Sequence, residues 1–402
     1  MRFVIFNRDY PGFLRGLYLA RPGLQAASYA EQMAVRNESL FGVADFYSKN
    51  FKAHGHEAVE IHLNNPWLQY AWAREHGLSV ALPPPPHGPD RASEWNRHRL
   101  FNAAKRRLRR VAKRFSAGPV MPAPAAGEPD WENLILRAQI ADFRPDVILN
   151  QEMAAMQSPI LKSLKTHGML VIGQIASSLP EGDNFDAYDL VISSLPNQVS
   201  WFQARGVTAQ LNRLAFEPFV LDRLGPQPLR DIELSFVGSL SPDHVKRIAF
   251  LEYVATHAPL KVWGNGIERL PKTSPLHACY QGEAWGRDMY AILRRSKITL
   301  NFHIDLAEDW ANNMRLYEAT GMGALLLTDS KKNLAEIFVP GEHVAAYTDA
   351  QDCVRQVAAL LADDARRERI AASGQQHAIK TQNYFLRTRE IAALAGMLRS
   401  KS

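Results

Sequence analysis

Short apolar segments alternate with longer segments of helical periodicity along almost the whole chain. This alternation predicts parallel sheets with crossover helices, and therefore an α/β fold. The predicted strands are Phe3–Phe6, Ala58–His62, Asp146–Asn150, Met169–Gly173, Leu190–Ser193, Ile232–Val237, Leu260–Trp263, Ile298–Phe302, Ala324–Thr328 and Val344–Tyr347. The longer patterns include predicted helices over Tyr29–Ala53, Glu132–Phe143 and Tyr384–Leu398.

The chain has 402 residues, too many for one ordinary hydrophobic core, so we predict two packed domains. Gly225–Pro228 is rich in proline and lacks apolar periodicity, which indicates a linker. We therefore expect an N-terminal domain over 1–225 and a C-terminal domain over 229–383, with a last helix over 384–402 that returns to the first domain. Ligands of such sheets bind beyond the carboxyl ends of the strands, so the cleft between the domains is the expected site.

Apolar run lengths, the number of cysteines and the net charge indicate where the protein is located and what kinds of partner it could bind. The sequence contains no run of eighteen apolar residues, so it predicts no membrane-spanning helix. The N-terminus lacks a signal-peptide pattern. Two cysteines suit a reducing compartment, so we expect a cytoplasmic protein. The net charge of +6 permits an anionic partner. Much of it lies in a predicted basic helix over about 96–115, which is either a solvated face or a peripheral contact with an anionic membrane surface. No motif accompanies it that would indicate nucleic acid.

A glycine turn follows the strand Ile232–Val237. Gly238 and Ser239 precede a helical stretch that contains Lys246 and Arg247. A strand that ends in glycine lets a phosphate approach backbone N–H groups, and the next helix adds partial positive charge. Either basic side chain could neutralise a diphosphate, with Arg the better bidentate partner. The alternative is an ordinary strand-to-helix turn with surface charges.

A second motif lies in the stretch that begins at Asn312. Asn312 or Asn313 is a plausible cap for a helix that contains Arg315 and Glu318. The Glu318 carboxylate can accept hydrogen bonds from two sugar hydroxyls at once. The alternatives are a surface acid at Glu318 and, for Arg315, its ion-pair partner three residues earlier.

Five short segments follow one another between about Ile232 and Leu394, in the order FVGSL, VWGNG, NMRLYEA, GALLLTD and VPGEHV. In this region the chain resembles the donor-binding domain of the CgeB-like glycosyltransferases, a group of the GT-B class that is similar to the family 4 retaining enzymes. The first half matches only the looser GT-B pattern, through Gly55–Ala58 and Pro145–Val147. The resemblance implies two Rossmann-like domains that face a cleft.

The resemblance also implies roles for single residues in binding a nucleoside-diphosphate sugar. Glu318 would bind the ribose hydroxyls, and Gly238 and Ser239 would lie against the diphosphate, neutralised by Lys246 or Arg247. The remaining implied contacts are Gly264 and Gly266 beside the nucleoside, with Asn312, Asn313 and Met314 near the sugar-phosphate end. Arg315 is a further candidate for binding the donor.

The chain departs from the family 4 pattern at one position. Those enzymes carry a second glutamate eight residues before the ribose-binding one, and here that position is Trp310. Glu308 or Asp309 could replace it, or Trp310 could stack on a sugar face. A loop tryptophan packed on its own domain is the alternative.

The first half is expected to hold the acceptor and any general base. Glu152 follows a predicted strand and could deprotonate an acceptor hydroxyl, although it also fits an acid at a helix start. The loop Tyr10–Gly12 is a second candidate. Asp305 and Asp309 are the nearest acidic pair, but no DxD signature is present, so we expect neither a metal nor a bound cofactor.

These observations predict a glycosyltransferase that moves a sugar from a nucleoside-diphosphate sugar to a hydroxyl of a glycan, protein or lipid. We expect it to be metal-independent and to retain the anomeric configuration, with Glu152, Arg247 and Glu318 as catalytic candidates. The enzymatic alternative is a GT-B phosphorylase or sugar-nucleotide epimerase. The non-enzymatic alternative is a sugar- or polymer-binding structural protein that has lost turnover.

Overall fold

The computed structural model describes residues 1–80, 131–241 and 245–400, which form two parallel sheets flanked by helices. The first sheet contains β1 (Arg2–Asn7), β2 (Glu57–His62), β3 (Val147–Asn150), β4 (Leu170–Gln174), β5 (Leu190–Ser193) and β6 (Ala209–Leu211), in the order β2-β1-β3-β4-β5-β6. The second contains β7 (Ile232–Val237), β8 (Leu260–Trp263), β9 (Ser296–Leu300), β10 (Leu325–Asp329) and β11 (Ala345–Tyr347), in the order β11-β10-β9-β7-β8.

The α-helices of the described residues connect and cover these strands. They are α1 (Pro11–Leu19), α2 (Tyr29–Glu38), α3 (Phe46–Ala53), α4 (Pro66–Glu75), α5 (Trp131–Phe143), α6 (Ser158–Leu164), α7 (Pro196–Gln203), α8 (Phe219–Leu224), α9 (Val245–His257), α10 (Leu276–Cys279), α11 (Gly286–Arg295), α12 (Met314–Gly321), α13 (Leu334–Ile337), α14 (Ala350–Ala362), α15 (Asp364–Thr381) and α16 (Tyr384–Arg399). Short 3₁₀ turns lie at Leu24–Ala26, Ile267–Arg269 and Asp305–Ala307.

The central strands are buried on both faces, as parallel sheets with helices on either side require. Phe3–Phe6 of β1 and the apolar residues of β3 are fully buried, and Ile5 lies opposite Leu149. In the second sheet Leu325–Leu327 of β10 are equally buried, and Leu325 pairs with Ile298 of β9. Continuous apolar runs, rather than alternating ones, therefore mark these strands in the sequence.

The predicted strands are confirmed to within two residues at each end. The structure differs from the prediction at one strand and one helix. The short strand β6 was missed. The single helix predicted over Tyr29–Ala53 was wrong, because the chain breaks between α2 and α3. Leu40 and Ala44 adopt positive φ there, and the buried Leu40 packs into the core. The Ser39 carbonyl accepts the backbone N–H of Arg287 (2.7 Å), so tertiary contacts outweigh helical propensity at this point.

The chain divides into two compact units that do not coincide with the two sheets. The larger comprises Met1–Asn7, Ala34–Ile61 and Arg144–Ser402, and the smaller comprises Arg8–Met33 and His62–Phe143. Both sheets lie in the larger unit, apart from His62 at the end of β2. The smaller unit has its own apolar cluster, where the ring of Tyr70 lies 5.1 Å from that of Trp131.

The last helix, α16, packs against α3 beside the first sheet. Tyr384 stands with its ring 5.3 Å from that of Phe46 and 5.1 Å from that of Tyr47. The predicted basic helix at 96–115 lies outside the described residues. Among the helices that the structure describes, none is long and apolar enough to cross a membrane.

Candidate functional site

Two glycine-containing loops pack together at the carboxyl ends of β7 and β8. The N–H of Gly238 donates to the carbonyl of Trp263 (2.9 Å), and that of Leu240 donates to Asn265 (2.8 Å). Gly264 has a φ of +155°, and a Cβ there would lie 1.8 Å from the Gly238 carbonyl oxygen. The glycine therefore permits the close approach of the two loops, and the turn of Gly238 fills the space beside it.

The start of α12 is tied to the ends of β9 and β10. Asn313 is the cap: its side chain accepts from the N–H of Leu316 (3.1 Å) and donates to Asn301 Oδ1 (2.7 Å). Asn301 in turn donates to the Thr328 hydroxyl (2.9 Å). Asn312 is buried instead, and its Oδ1 has no hydrogen-bond partner among the residues that the structure describes. This cap holds α12 in a fixed position above the strand ends.

Glu318 lies on α12 and is only 5% exposed, so it is not a surface acid. Its Oε2 accepts a hydrogen bond from the Arg315 guanidinium at 2.7 Å. Within the described ranges its Oε1 has one hydrogen-bond contact, with the Tyr290 hydroxyl of α11 at 3.5 Å, the limit of hydrogen-bond length. Burial raises the pKa of the Glu318 carboxyl, while the Arg315 charge and the Tyr290 hydroxyl oppose that rise. One carboxylate oxygen is thus fully engaged and the other is weakly engaged.

Arg315 brings the glycine turn and the acid together. Its Nε donates to the carbonyl of Val237 (3.1 Å), the residue before Gly238, and its Nη1 donates to Glu318. Nη1 also lies 3.0 Å from the sulfur of Met289. The Arg315–Glu318 ion pair, the alternative interpretation from the sequence, is present. The guanidinium also bridges from α12 to the end of β7. The two motifs that the sequence singled out therefore share one side chain.

The two basic candidates on α9 differ sharply in their surroundings. Arg247 is 8% exposed, and it donates to the carbonyls of Ser239 (3.3 Å) and Phe302 (3.2 Å). Burial lowers the pKa of its guanidinium, partly offset by nearby acids, Asp329 first among them. Lys246 is exposed and lies 3.5 Å from Asp305. Arg247 is therefore fixed beside the glycine turn, while Lys246 is a solvated charge.

A buried histidine that the sequence analysis did not single out stands next to Arg247. His303 follows β9, and its Nδ1 lies 2.6 Å from Asp329 at the end of β10. A signal existed, because β9 and β10 are parallel neighbours and polar residues that follow neighbouring parallel strands meet at one edge. Asn301 and Tyr290 were missed for a different reason: they act through contacts that no local pattern encodes.

Trp310 is half-buried in the turn before α12, and its backbone N–H donates to the carbonyl of Ala307 (2.8 Å). Neither suggested replacement is enclosed. Asp309 is exposed and pairs with Lys332 (2.7 Å), and Glu308 is exposed with a φ of +50°. Met314, the first residue of α12, is half-buried. The aromatic ring, rather than a carboxylate, is thus the better enclosed group in this turn.

The candidates in the first half lie apart in sequence and differ in setting. Glu152 is half-buried in the turn after β3, and its N–H donates to the side chain of Asn150 (3.0 Å). The next helix begins only at Ser158, so Glu152 is not a helix-start acid. Tyr10 precedes α1 in the smaller unit and is exposed. No group of three or more potential metal ligands occurs in the described part of the chain.

Comparison with known proteins gives one family match and several structural matches. Residues 246–393 match the family model described as glycosyl transferase-like. No curated protein matches the chain. AviGT4, a glycosyltransferase involved in avilamycin A biosynthesis, is 13% identical and superposes with a TM-score of 0.56 over 100% of this chain and 99% of its own.

Two further structures extend this similarity. HepE of Anabaena, solved in complex with UDP and glucose, is 11% identical with a TM-score of 0.56 over 98% of this chain and 99% of its own. Sucrose-phosphate synthase of Thermosynechococcus elongatus is 11% identical with a TM-score of 0.55 over 100% of both chains. At these identities the matches establish the fold, and they confirm the predicted architecture of two parallel-sheet α/β domains.

Proposed function

We propose that this chain, a glycosyltransferase of the GT-B type by its fold and its family domain, transfers a sugar from a uridine diphosphate sugar to an acceptor hydroxyl. The observation that carries the proposal is the Arg315 bridge between the Val237 carbonyl and Glu318. If the turn of Gly238 binds the diphosphate and Glu318 binds the ribose, this bridge would hold both groups within reach of one nucleotide. Uridine is proposed as the base because the similar HepE was solved with UDP and with UDP-glucose.

The ordered motifs between Ile232 and Leu394 support assignment to the CgeB-like group, which we keep as part of this proposal. In it, residues 229–383 bind the donor and residues 1–225 present the acceptor. The acceptor is a hydroxyl of a glycan, protein or lipid. Contact with an anionic membrane surface through the basic segment at 96–115 stays a prediction from the sequence.

In the proposed reaction the bond between the anomeric carbon and the diphosphate breaks, and the acceptor oxygen forms the new bond. The departing diphosphate gains negative charge, which Arg247 beside the turn of Gly238 would stabilise without a divalent ion. Such contacts speed the transfer only if they strengthen as that charge develops. We propose retention, in which the acceptor proton passes to the departing phosphate and Glu152 is not needed as a base.

Calorimetric titration with UDP, GDP and ADP, followed by UDP-sugars, tests the proposal. We expect UDP to bind, and we expect turnover of one UDP-sugar to persist in EDTA. NMR of the product would then show the anomeric configuration of the donor kept. Failure of every nucleoside diphosphate to bind would refute the donor site, and inversion would return Glu152 to the role of base.

One observation favours a second candidate, a sugar- or polymer-binding protein without turnover. Trp310 occupies the position of a sugar-contacting glutamate in family 4, and its half-buried ring suits stacking on a sugar. Product analysis with labelled donor separates the candidates: a transferase releases UDP with an acceptor, whereas a binding protein releases none. Transfer to inorganic phosphate would indicate a phosphorylase, and an altered free sugar nucleotide would indicate an epimerase.

A further inference from the structure

The imidazole of His303 is held in one orientation at the ends of β9 and β10. Asp329 Oδ1 lies 2.6 Å from its Nδ1 and also accepts the backbone N–H of His303 (3.1 Å). Lys331 stands 3.3 Å from the other oxygen of Asp329. Burial alone would raise the pKa of the Asp329 carboxyl, but the hydrogen bond from His303 and the nearby positive charges hold it below its ordinary value. The carboxylate is therefore an acceptor, and Nδ1 carries a proton.

The opposite nitrogen of the ring is left without a partner. His303 is 2% exposed, and its Nε2 is buried with no hydrogen bond to any residue within the described ranges. An unsatisfied buried polar atom destabilises the folded protein relative to a paired one. Such an atom beside a proposed binding site indicates a missing partner.

Arg247 also has a buried nitrogen that is unsatisfied among the described residues, and together with His303 it lines a small cavity. Its lining residues are Arg247, Phe302, His303, Ile304 and Asp305. The Nε of Arg247 is also buried and lacks a partner in the described part of the chain, while its other nitrogens hold the carbonyls of Ser239 and Phe302. The cavity thus adjoins the turn of Gly238 and presents a guanidinium and an imidazole together.

We propose that His303 is a phosphate-binding residue: its Nε2 donates to a phosphate oxygen of the nucleoside diphosphate beside Arg247, and the ring carries a proton on both nitrogens in the complex. The proton on Nε2 comes from solvent as the nucleotide binds, and Nδ1–H stays on Asp329. This inference rests on the proposed function and adds a specific residue to it.

The charges around the ring favour an anion over other occupants of the cavity. Arg247 is a pure donor, so it repels a cation and cannot accept from a sugar hydroxyl. Lys331 is a positive charge beside the Asp329 carboxylate. Asp305 lines the cavity and is negative, and its carboxylate lies 3.5 Å from the positive Lys246. A phosphate oxygen can accept from the Arg247 Nε–H and from His303 Nε2 once that nitrogen is protonated, and charge-assisted bonds of this kind are the stronger ones.

Calorimetry with UDP measures the proton directly. Titrations at pH 6.5, 7.2 and 8.0, each in two buffers of different ionisation enthalpy, give the number of protons taken up on binding. We expect uptake of up to one proton by the wild type, with affinity falling as pH rises. His303→Gln keeps a neutral donor, so we expect no uptake and about tenfold weaker binding at pH 6.5, with the difference shrinking by pH 8.0.

Two further variants make the test specific. Asp329→Asn keeps an acceptor for Nδ1 but removes the charge that stabilises the protonated ring, so proton uptake should shift to lower pH. His277→Gln, at an exposed histidine of the same domain, should behave as the wild type. Thermal unfolding shows whether each variant is folded, and Asp329→Asn keeps the inference testable if His303→Gln is not.

The outcomes separate the two levels of the proposal. If wild-type UDP binding is absent, the proposed function itself is wrong. If UDP binds but His303→Gln takes up the same number of protons, or if His303→Gln loses as much affinity for uridine as for UDP, the inference is overturned and the proposed function stands.

Discussion

Glu60 in the first sheet and Glu318 in the helix α12 are both buried carboxylates whose pKa is raised by burial, yet their surroundings differ. Glu60 is 3% exposed, and both oxygens have close partners: Asn7 Nδ2 donates to Oε2 (3.0 Å) and the Ser48 N–H to Oε1 (3.1 Å). Burial raises the pKa of Glu60 to about 8. Glu318 has one close partner, Arg315, and a weakly engaged Oε1.

The hydrogen bonds of Glu60 are satisfied within the fold, whereas Glu318 can still accept a hydrogen bond from a ligand. A shifted pKa marks burial in both cases, so it does not identify a site by itself. What distinguishes Glu318 is unused hydrogen-bonding capacity at the edge of a sheet where ligands bind. The same holds for His303, in the segment after β9, and for Arg247 on α9, each of which has a buried nitrogen without a partner among the described residues.

The largest expected effect is that of Glu318→Gln on nucleotide binding. The amide oxygen can still accept from Arg315, whereas the amide NH₂ cannot accept ribose hydroxyls. Because hydrogen bonds to a charged group contribute about 1.5–3 kcal/mol each, we expect UDP affinity to fall by about 100-fold or more. Glu233→Gln, at the exposed second residue of β7, is the matched control in the same titration. Equal affinities for both variants would remove Glu318 from the site.

Gly264→Ala should disturb the packing of the two loops beneath that site. A Cβ at Gly264 would meet the Gly238 carbonyl at 1.8 Å, whereas one at Gly282 (φ +108°) meets nothing within 4 Å. Both changes carry backbone strain, so their difference isolates the clash. We expect urea unfolding to show a loss of about 1–3 kcal/mol more for Gly264→Ala than for Gly282→Ala, with weaker UDP binding only in the former. Equal losses in the free energy of unfolding would mean that the two loops move apart at little cost.

Glu60→Gln should change the pH dependence of stability and leave nucleotide binding alone. With its folded pKa raised to about 8 from 4.5, Glu60 makes the native state hold more protons than the unfolded state between those values. Stability from this group therefore falls as pH rises, by at most about 1.4 kcal/mol per pH unit. Urea unfolding of the wild type between pH 5 and 8 should show this slope relative to Glu60→Gln. A nucleotide-binding defect in the variant would break the contrast with Glu318.

Lys246→Gln should have the smallest effect. Its ion pair with Asp305 is exposed, and exposed pairs contribute about 0–1 kcal/mol. We expect stability within about 0.5 kcal/mol of the wild type and UDP affinity within about threefold, with any difference lost at high salt. A tenfold loss of UDP affinity that persists at high salt would mean that Lys246, rather than Arg247, neutralises the phosphate charge.

The sequence predicted the strands and the order of the motifs because continuous apolar runs and glycine turns are local signals. It also singled out Glu318 and the turn at Gly238 as candidate site residues, which stay predictions. It did not predict the break after α2, since the positive φ of Leu40 is imposed by contacts with a distant segment. The Arg315 bridge to Val237 was equally hidden, because it joins residues 78 positions apart. Pairings of this kind depend on the packed structure and leave no periodic trace.

The most direct test is a crystal structure of the protein with UDP. The account predicts that the ribose hydroxyls lie within hydrogen-bond distance of Glu318 while the diphosphate lies against Gly238 and Ser239. A nucleotide bound in another part of the molecule, or one that contacts the turn with its ribose remote from Glu318, would contradict the account.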